Sequence, residues 1–367
     1  MVLYLLVTAF TVLMAYFVNG VYTRKPYIAG GRIPRNRQEM LNLVFLAGIF
    51  TVLFSLSALR IGIGNDYWTY RYQFLHIISG DTEVSFEIGF KALVIVLQGL
   101  FGYDNYRIVF AAMAFLTSLF FIKGLFDSSD WFVMTFFLFM ASGFYFMSFS
   151  NVRYYFAIAV CAYAIKFVFQ RNHVSFVLWI VFAALFHKSV LLVIPAYLIA
   201  YYLKWTKRTV WLVPAACLAL ALGKTVFRRL MFVFYPYYEG DLILDVERVS
   251  YVNIAKCLAV LILSMIYYRK GIKGNSRAET FFNLNLFALI LYSFGYYILE
   301  TSRICNYMVL GHVFLIPAVL RKIEDKRQKA FFTGSVILAY AAYLVVFLIK
   351  SRESTVMLLP YLTWLFT

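Results

Sequence analysis

Polar side chains able to do chemistry are concentrated at a few points in a chain that is otherwise apolar. The densest stretch is 59–70, which reads Leu-Arg-Ile-Gly-Ile-Gly-Asn-Asp-Tyr-Trp-Thr-Tyr and follows a long apolar run. It brings out Arg60, Asp66, Tyr67 and Tyr70 together. Asp66, and further on Glu87, are carboxylates that can take a proton from a hydroxyl or hold the hydroxyls of a sugar. Capping accounts for Asp66 equally well, because aspartate accepts from the free N–H groups of a helix starting at Tyr67. The helix dipole alone would also favour Glu87 at the head of the next helix.

Three arginines carry a sharper signal. Arg60, Arg153 and Arg303 each border an apolar run beside a polar residue, respectively Asp66, Asn151 and Glu300. A single arginine at a helix end ordinarily snorkels to the lipid headgroups, and Arg303 also suits a local pair with Glu300. Three of them, with Lys188, point to a shared anionic ligand, since a guanidinium fork matches phosphate oxygens two at a time. His187-Lys188-Ser189 is the deepest polar cluster. Two crossings within 174–203 leave each one short, at about 1.5 Å of rise per residue, so this turn should lie below the outer surface unless the bilayer thins around it. Ionisable groups at that depth mark functional sites, and His187 can accept a proton or hold a phosphate. His312, alone in an apolar run, reads as a packing or hydrogen-bonding residue.

The elements that must position these groups are membrane helices. The 367 residues are 63% hydrophobic, 20% aromatic and 14% charged, with mean hydropathy +0.79, which excludes a soluble globular protein. Apolar runs near 2–18, 40–59, 106–123, 131–149, 154–169, 174–186, 189–203, 209–223, 254–268, 280–299, 304–320 and 330–349 give about twelve transmembrane helices. The expected fold is an all-α polytopic integral membrane protein, one transmembrane domain over 1–367. The net charge of +17 fits basic cytoplasmic loops rather than nucleic acid. Cys161, Cys217, Cys257 and Cys305 lack disulfide or zinc spacing and read as packing residues. Residues 1–18 lack a basic n-region and a cleavage site, so they read as a retained first span.

Segment 87–101 decides the topology. Counted as a span, it would push the later basic loops outward; read as re-entrant or interfacial, it returns them to the cytoplasm. Residues 60–105 then form one long outer loop with surface helices near 66–79 and 87–101. A second outer loop, 224–253, carries Tyr235, Tyr237, Tyr238, Glu239 and Asp241. These residues, with Tyr67 and Tyr70, are candidates for contacting sugar rings; the interfacial aromatic belt explains any single tyrosine as well. The tail after Lys350 reads as too short to span. No metal or nucleotide motif is present, and no cofactor is expected.

In order, the chain presents Arg60-x-Gly62-x-Gly64-x-Asp66-Tyr67-x-x-Tyr70, Glu87-x-Gly89-Phe90, Asn151-x-Arg153 and Phe186-His187-Lys188-Ser189. Together these resemble the EpsG family of exopolysaccharide polymerases, which is similar to the Wzy-type polymerases. Asn65 stands where Thr is common in the family, and Tyr154 follows Arg153 where Gln is common. The resemblance implies a glycosyltransferase of GT-C-like architecture in the bacterial plasma membrane, with its active site facing outside. Its substrates would be oligosaccharides on undecaprenyl diphosphate. Its partners would be membrane lipids and the flippase and chain-length regulator of the same pathway. Asp66 and His187 are then the candidates for the catalytic base, with Glu87 orienting the site. Arg60, Arg153, Lys188 and Arg303 would bind the diphosphate without a metal, and an in-line attack would invert the anomeric centre. A flippase for the same lipids, or a single-addition glycosyltransferase or ligase, remains open at this level.

Overall fold

The computed structural model describes residues 1–18, 37–77, 86–227, 229, 249–298, 301–352 and 356–365. Among them the only strand-like feature is an isolated antiparallel bridge between Arg60 and Thr363; the remaining regular structure is helical. Five helical runs are long and apolar enough to cross a membrane: Arg37–Ala58, Tyr106–Ser128, Val152–Phe169, Thr301–Arg321 and Lys326–Lys350. Shorter apolar helices accompany them, and the chain is an all-helical membrane protein. Two expected spans are interrupted. The run 131–149 divides at Gly143, whose φ of 81° is left-handed. The run 304–320 is offset at Gly311, where two helices meet end to end.

The residues fall into two compact units, 1–191 with 326–367, and 192–325. The first contains α1 (Val2–Tyr16), α2 (Arg37–Ala58), α3 (Tyr67–His76), α4 (Ile88–Phe101) and α5 (Tyr106–Ser128). It continues through α6 (Phe132–Ala141), α7 (Phe144–Met147), α8 (Val152–Phe169) and α9 (His173–Ala184), and closes with α16 (Lys326–Lys350). Its centre is α8, which packs along α5 and against α9; 72% of its apolar window is buried, against 11% for α16. α16 is therefore mostly exposed along its apolar length. Near the end of α5, Asp127 accepts from Lys123 and from Lys166 of α8, the latter at 2.7 Å.

The second unit contains α10 (Val193–Tyr202), α11 (Leu212–Leu222), α12 (Tyr251–Ile266), α13 (Ser276–Phe294), α14 (Thr301–Val309) and α15 (His312–Arg321). α13 is its hub, touching α10, α11, α12, α14 and α15. The amides on α13 satisfy loose backbone ends: Asn283 Nδ2 donates to Ala200 O and Leu203 O at 2.8 and 3.0 Å. Asn285 pairs with His312 Nε2 at 2.6 Å, so His312 is a buried hydrogen-bonding residue.

The two helices expected after Arg60 are present as α3 and α4. Gln98, in the last turn of α4, is buried and donates to Phe74 O and Tyr103 O, both at 3.0 Å. It thereby ties α4 to the end of α3.

The α5–α8 contact depends on Gly124, where an added Cβ would lie 2.6 Å from Ala162 C and Tyr163 N. Gly124→Val should force the two helices apart and cost about 1–3 kcal/mol, read as a lower Tm in detergent. Gly99→Ala on α4, where nothing lies within 4 Å of the new Cβ, should hold or slightly raise it.

Candidate functional site

Three segments far apart in sequence meet at Glu87. Helix α9 ends at Leu185, whose carbonyl lacks a partner within its own helix, and α4 begins with backbone N–H groups in the same condition. The two ends satisfy each other: Gly89 N and Phe90 N donate to Leu185 O at 2.9 and 3.2 Å. Only glycine fits at this contact, because a Cβ on Gly89 would sit 2.6 Å from Leu185 Cβ. The junction holds Glu87 over the turn that carries His187 and Lys188.

The Glu87 carboxylate accepts from Arg153 Nη1, in the first turn of α8, and from Lys188 N at 3.3 Å. His187 Nδ1 lies 3.6 Å from Glu87 Oε1. Arg153 Nε reaches the Tyr70 hydroxyl at 3.4 Å. The guanidinium rests on the rings of Phe86, Phe90 and Tyr70, with centroids at 4.8, 5.6 and 5.8 Å. An edge-on contact with Tyr154 holds the His187 ring at 5.3 Å. The side chains of Glu87, Arg153 and His187 are 18, 21 and 16% exposed, enough for a ligand to reach but with most of the water excluded. Charge interactions are strengthened in such surroundings. Glu87 stands at the head of α4, yet its side chain makes no capping bond; the ion pair takes it instead.

Asp66 likewise makes no side-chain cap on α3, so capping does not account for it. Its carboxylate accepts from Asn65 Nδ2 at 3.1 Å and acts electrostatically on Tyr70. Burial pushes the Tyr70 hydroxyl up, and the neighbouring Arg153 opposes that shift. The Lys188 side chain is exposed.

Arg60 is placed otherwise than its sequence neighbours suggest. It is 3% exposed; Nη1 donates to Ser57 O and, at 2.9 Å, to Ser57 Oγ, and Nη2 to Phe149 O at 3.3 Å. The rings of Phe149 and Phe110 flank the guanidinium at 4.9 and 5.2 Å. Burial pulls its pKa down to about 10, against the pull of surrounding tyrosine hydroxyls led by Tyr67, so it stays charged at neutral pH. Arg60, expected to contact a diphosphate, has its fork turned onto backbone carbonyls and a serine inside the protein.

Tyr67 and Tyr70, expected to stack on sugars, are 1 and 5% exposed. Tyr67 lies flat on Phe110 at 4.5 Å, and Tyr70 packs among Phe74, Phe86 and Phe90. Their ring faces are occupied by protein. The outward face of α3 instead shows Trp68 and Tyr72, each 52% exposed. Alternation at helical spacing separates the two faces: 67, 70 and 74 point in, 68 and 72 out.

Arg303 lies in the second unit, half-buried in the first turn of α14. Tyr235, Tyr237, Tyr238, Glu239 and Asp241 are outside the described residues, as is Glu300. Among the described residues no group of three or more His, Cys, Asp or Glu is placed to hold a metal ion.

Sequence reasoning missed the segment 356–365. It runs beside the Arg60 turn, with Ile61 N donating to Leu362 O at 3.0 Å, Gly64 N to Met357 O at 3.1 Å and Trp364 N to Leu59 O at 3.2 Å. The Tyr4 and Tyr361 hydroxyls fasten it further, to Leu358 O and Leu56 O. Backbone pairing of this kind leaves no mark in residue types.

Residues 43–363 match the model of the EpsG family, a span that contains the Arg60 turn, Glu87, Arg153 and the His187 turn. No curated protein and no solved structure matches the chain. The match covers well over half of the 367 residues, and the chain belongs to the EpsG family.

Proposed function

We propose that the chain is an exopolysaccharide polymerase acting at the outer face of the bacterial plasma membrane through about twelve crossings of GT-C-like arrangement. It would transfer a glycan from undecaprenyl diphosphate to a sugar hydroxyl of another lipid-linked repeat unit. The observation that carries this reading is the convergence of Glu87, Arg153 and His187 from three separate segments in a mostly dry, aromatic-walled site. Family membership supports it independently.

In this reading the acceptor oxygen attacks the donor's anomeric carbon as the bond to the diphosphate oxygen breaks. The bonding electrons leave with undecaprenyl diphosphate, and the acceptor's proton passes to His187. Charge grows on the diphosphate as the bond opens, so a cation already in place stabilises the transition state more than the ground state. Nε and Nη1 of Arg153 are engaged by Tyr70 and Glu87, and Nη2 is the part of the fork assigned to phosphate oxygens. The exposed Lys188 side chain adds a second charge. Glu87 orients Arg153 and stabilises the imidazolium formed on His187, as a carboxylate behind a catalytic histidine does. Asp66, at the edge of the site beside Tyr70, is assigned to a hydroxyl of the incoming sugar. Trp68 and Tyr72 take the ring-stacking role in place of Tyr67 and Tyr70. In-line displacement inverts the anomeric centre.

Purified protein reconstituted with lipid-linked repeat units provides the test. A ladder of products on a gel means polymerisation, one band means single addition, and no product with lipid moved across the bilayer means transport. Arg153→Lys should lower kcat by about 10²-fold with the fold intact, because an ammonium cannot replace the fork; full activity would remove Arg153 from the reaction. Trp68→Ala and Tyr72→Ala should instead raise KM severalfold at nearly constant kcat, the mark of lost uniform binding. EDTA should leave the rate unchanged, and a requirement for added divalent metal would overturn the metal-free assignment.

A further inference from the structure

Arg60 is buried, charged and without a carboxylate partner in the ion pairs of the described residues. Its Nε has no hydrogen-bond partner among them. Removing a charge from water on these terms is costly, and an apolar side chain of similar volume would avoid the cost. An apolar side chain could not, however, hold Ser57 and the Phe149 carbonyl at once. Phe149 is also closely approached by Gly64, at φ +97°, where an added Cβ would come within 2.2 Å of the same carbonyl oxygen. The next residue on each chain continues the joint, with Asn65 N donating to Ser150 Oγ at 2.8 Å. Asp66 follows immediately on one side, and Arg153 lies in the first turn of α8 on the other.

We infer that Arg60 is a positioning residue: its guanidinium clamps the turn carrying Asp66 onto the turn that opens α8, and so fixes Asp66 relative to Arg153. The inference deepens the proposed function and rests on the reading of Glu87, Arg153 and His187 as the reaction site. Two partners on two elements, two flanking rings and a close glycine contact with the same peptide make the joint stiff. Misplacing a reacting group by about 1 Å can cost about 10²-fold in rate. Arg60 touches no reacting atom, so its loss should show in kcat and leave substrate affinity in place.

The test uses the full chain in lipid nanodiscs, with Arg60→Lys and Ser150→Ala compared with the parent. Hydrogen exchange of the Asn65 amide, bonded to Ser150 Oγ, reports the joint itself, and that of Ile61 and Gly64, bonded to Leu362 O and Met357 O, reports the turn that the joint holds, without reference to activity. Arg60→Lys should speed their exchange by about tenfold or more while the amides of α5 and α8 keep their protection. It should also lower kcat by about 10²-fold, with KM for the lipid-linked donor and inhibition by inorganic pyrophosphate little changed. Ser150→Ala, which opens the joint and leaves Arg60 intact, should act in the same direction more weakly. Unchanged exchange in Arg60→Lys overturns the inference, as does a raised KM with weakened pyrophosphate inhibition, which would make Arg60 a ligand contact. If exchange loosens as expected but the parent chain makes no polymer, the site reading fails and the clamp stands.

Discussion

The contact between Glu87 and Arg153 brings into one place parts of the chain that local sequence would keep apart. Arg153 sits on three aromatic rings, which attract its charge but, apart from the Tyr70 hydroxyl at 3.4 Å from Nε, offer it no acceptor. Glu87 supplies the acceptor, and to reach it α4 must begin where α9 ends. That requirement accounts for the glycine at 89, the exposed carbonyl of Leu185, and the placement of His187 and Lys188 just beyond it. Removing one partner of such a pair leaves the other charge poorly compensated, so the geometry of the whole corner depends on both.

Arg60 and Arg153 show how little residue type decides by itself. Both lie at the margins of apolar helices, and both have aromatic rings against the guanidinium. One has spent its fork on backbone carbonyls and a serine inside the protein; the other faces a carboxylate and a tyrosine in a site a fifth open. The first is suited to holding geometry and the second to meeting an anion. Their sequences, a charged residue after a hydrophobic run, read alike.

Much of the architecture was legible in the sequence. The helices α3 and α4, the break before Lys188 and the membrane character follow from hydropathy, glycine and charge placement, all of which act locally. Other features were not legible for physical reasons. Tyr67 and Tyr70 looked available because α3 carries aromatic residues on both faces, so composition could not show which face was buried. The division of 131–149 at Gly143 was hidden because apolar residues resume directly after Ser142-Gly143. Asp66 fitted the helix-cap pattern, but its side chain makes no cap. The role of Arg60 depends on Phe149 and Gly64, a contact between distant residues to which no spacing rule points.

The pairing of 356–365 with the Arg60 turn has a consequence for how the protein is made. The turn is synthesised before α3, yet the carbonyls of Met357 and Leu362, to which it is hydrogen-bonded, emerge only after α16. Until they arrive, the amides of Ile61 and Gly64 must find water or temporary partners. The turn cannot take its final shape before then. The carboxylate at its tip is thus brought into register only once segment 356–365 has been made and has folded back onto it.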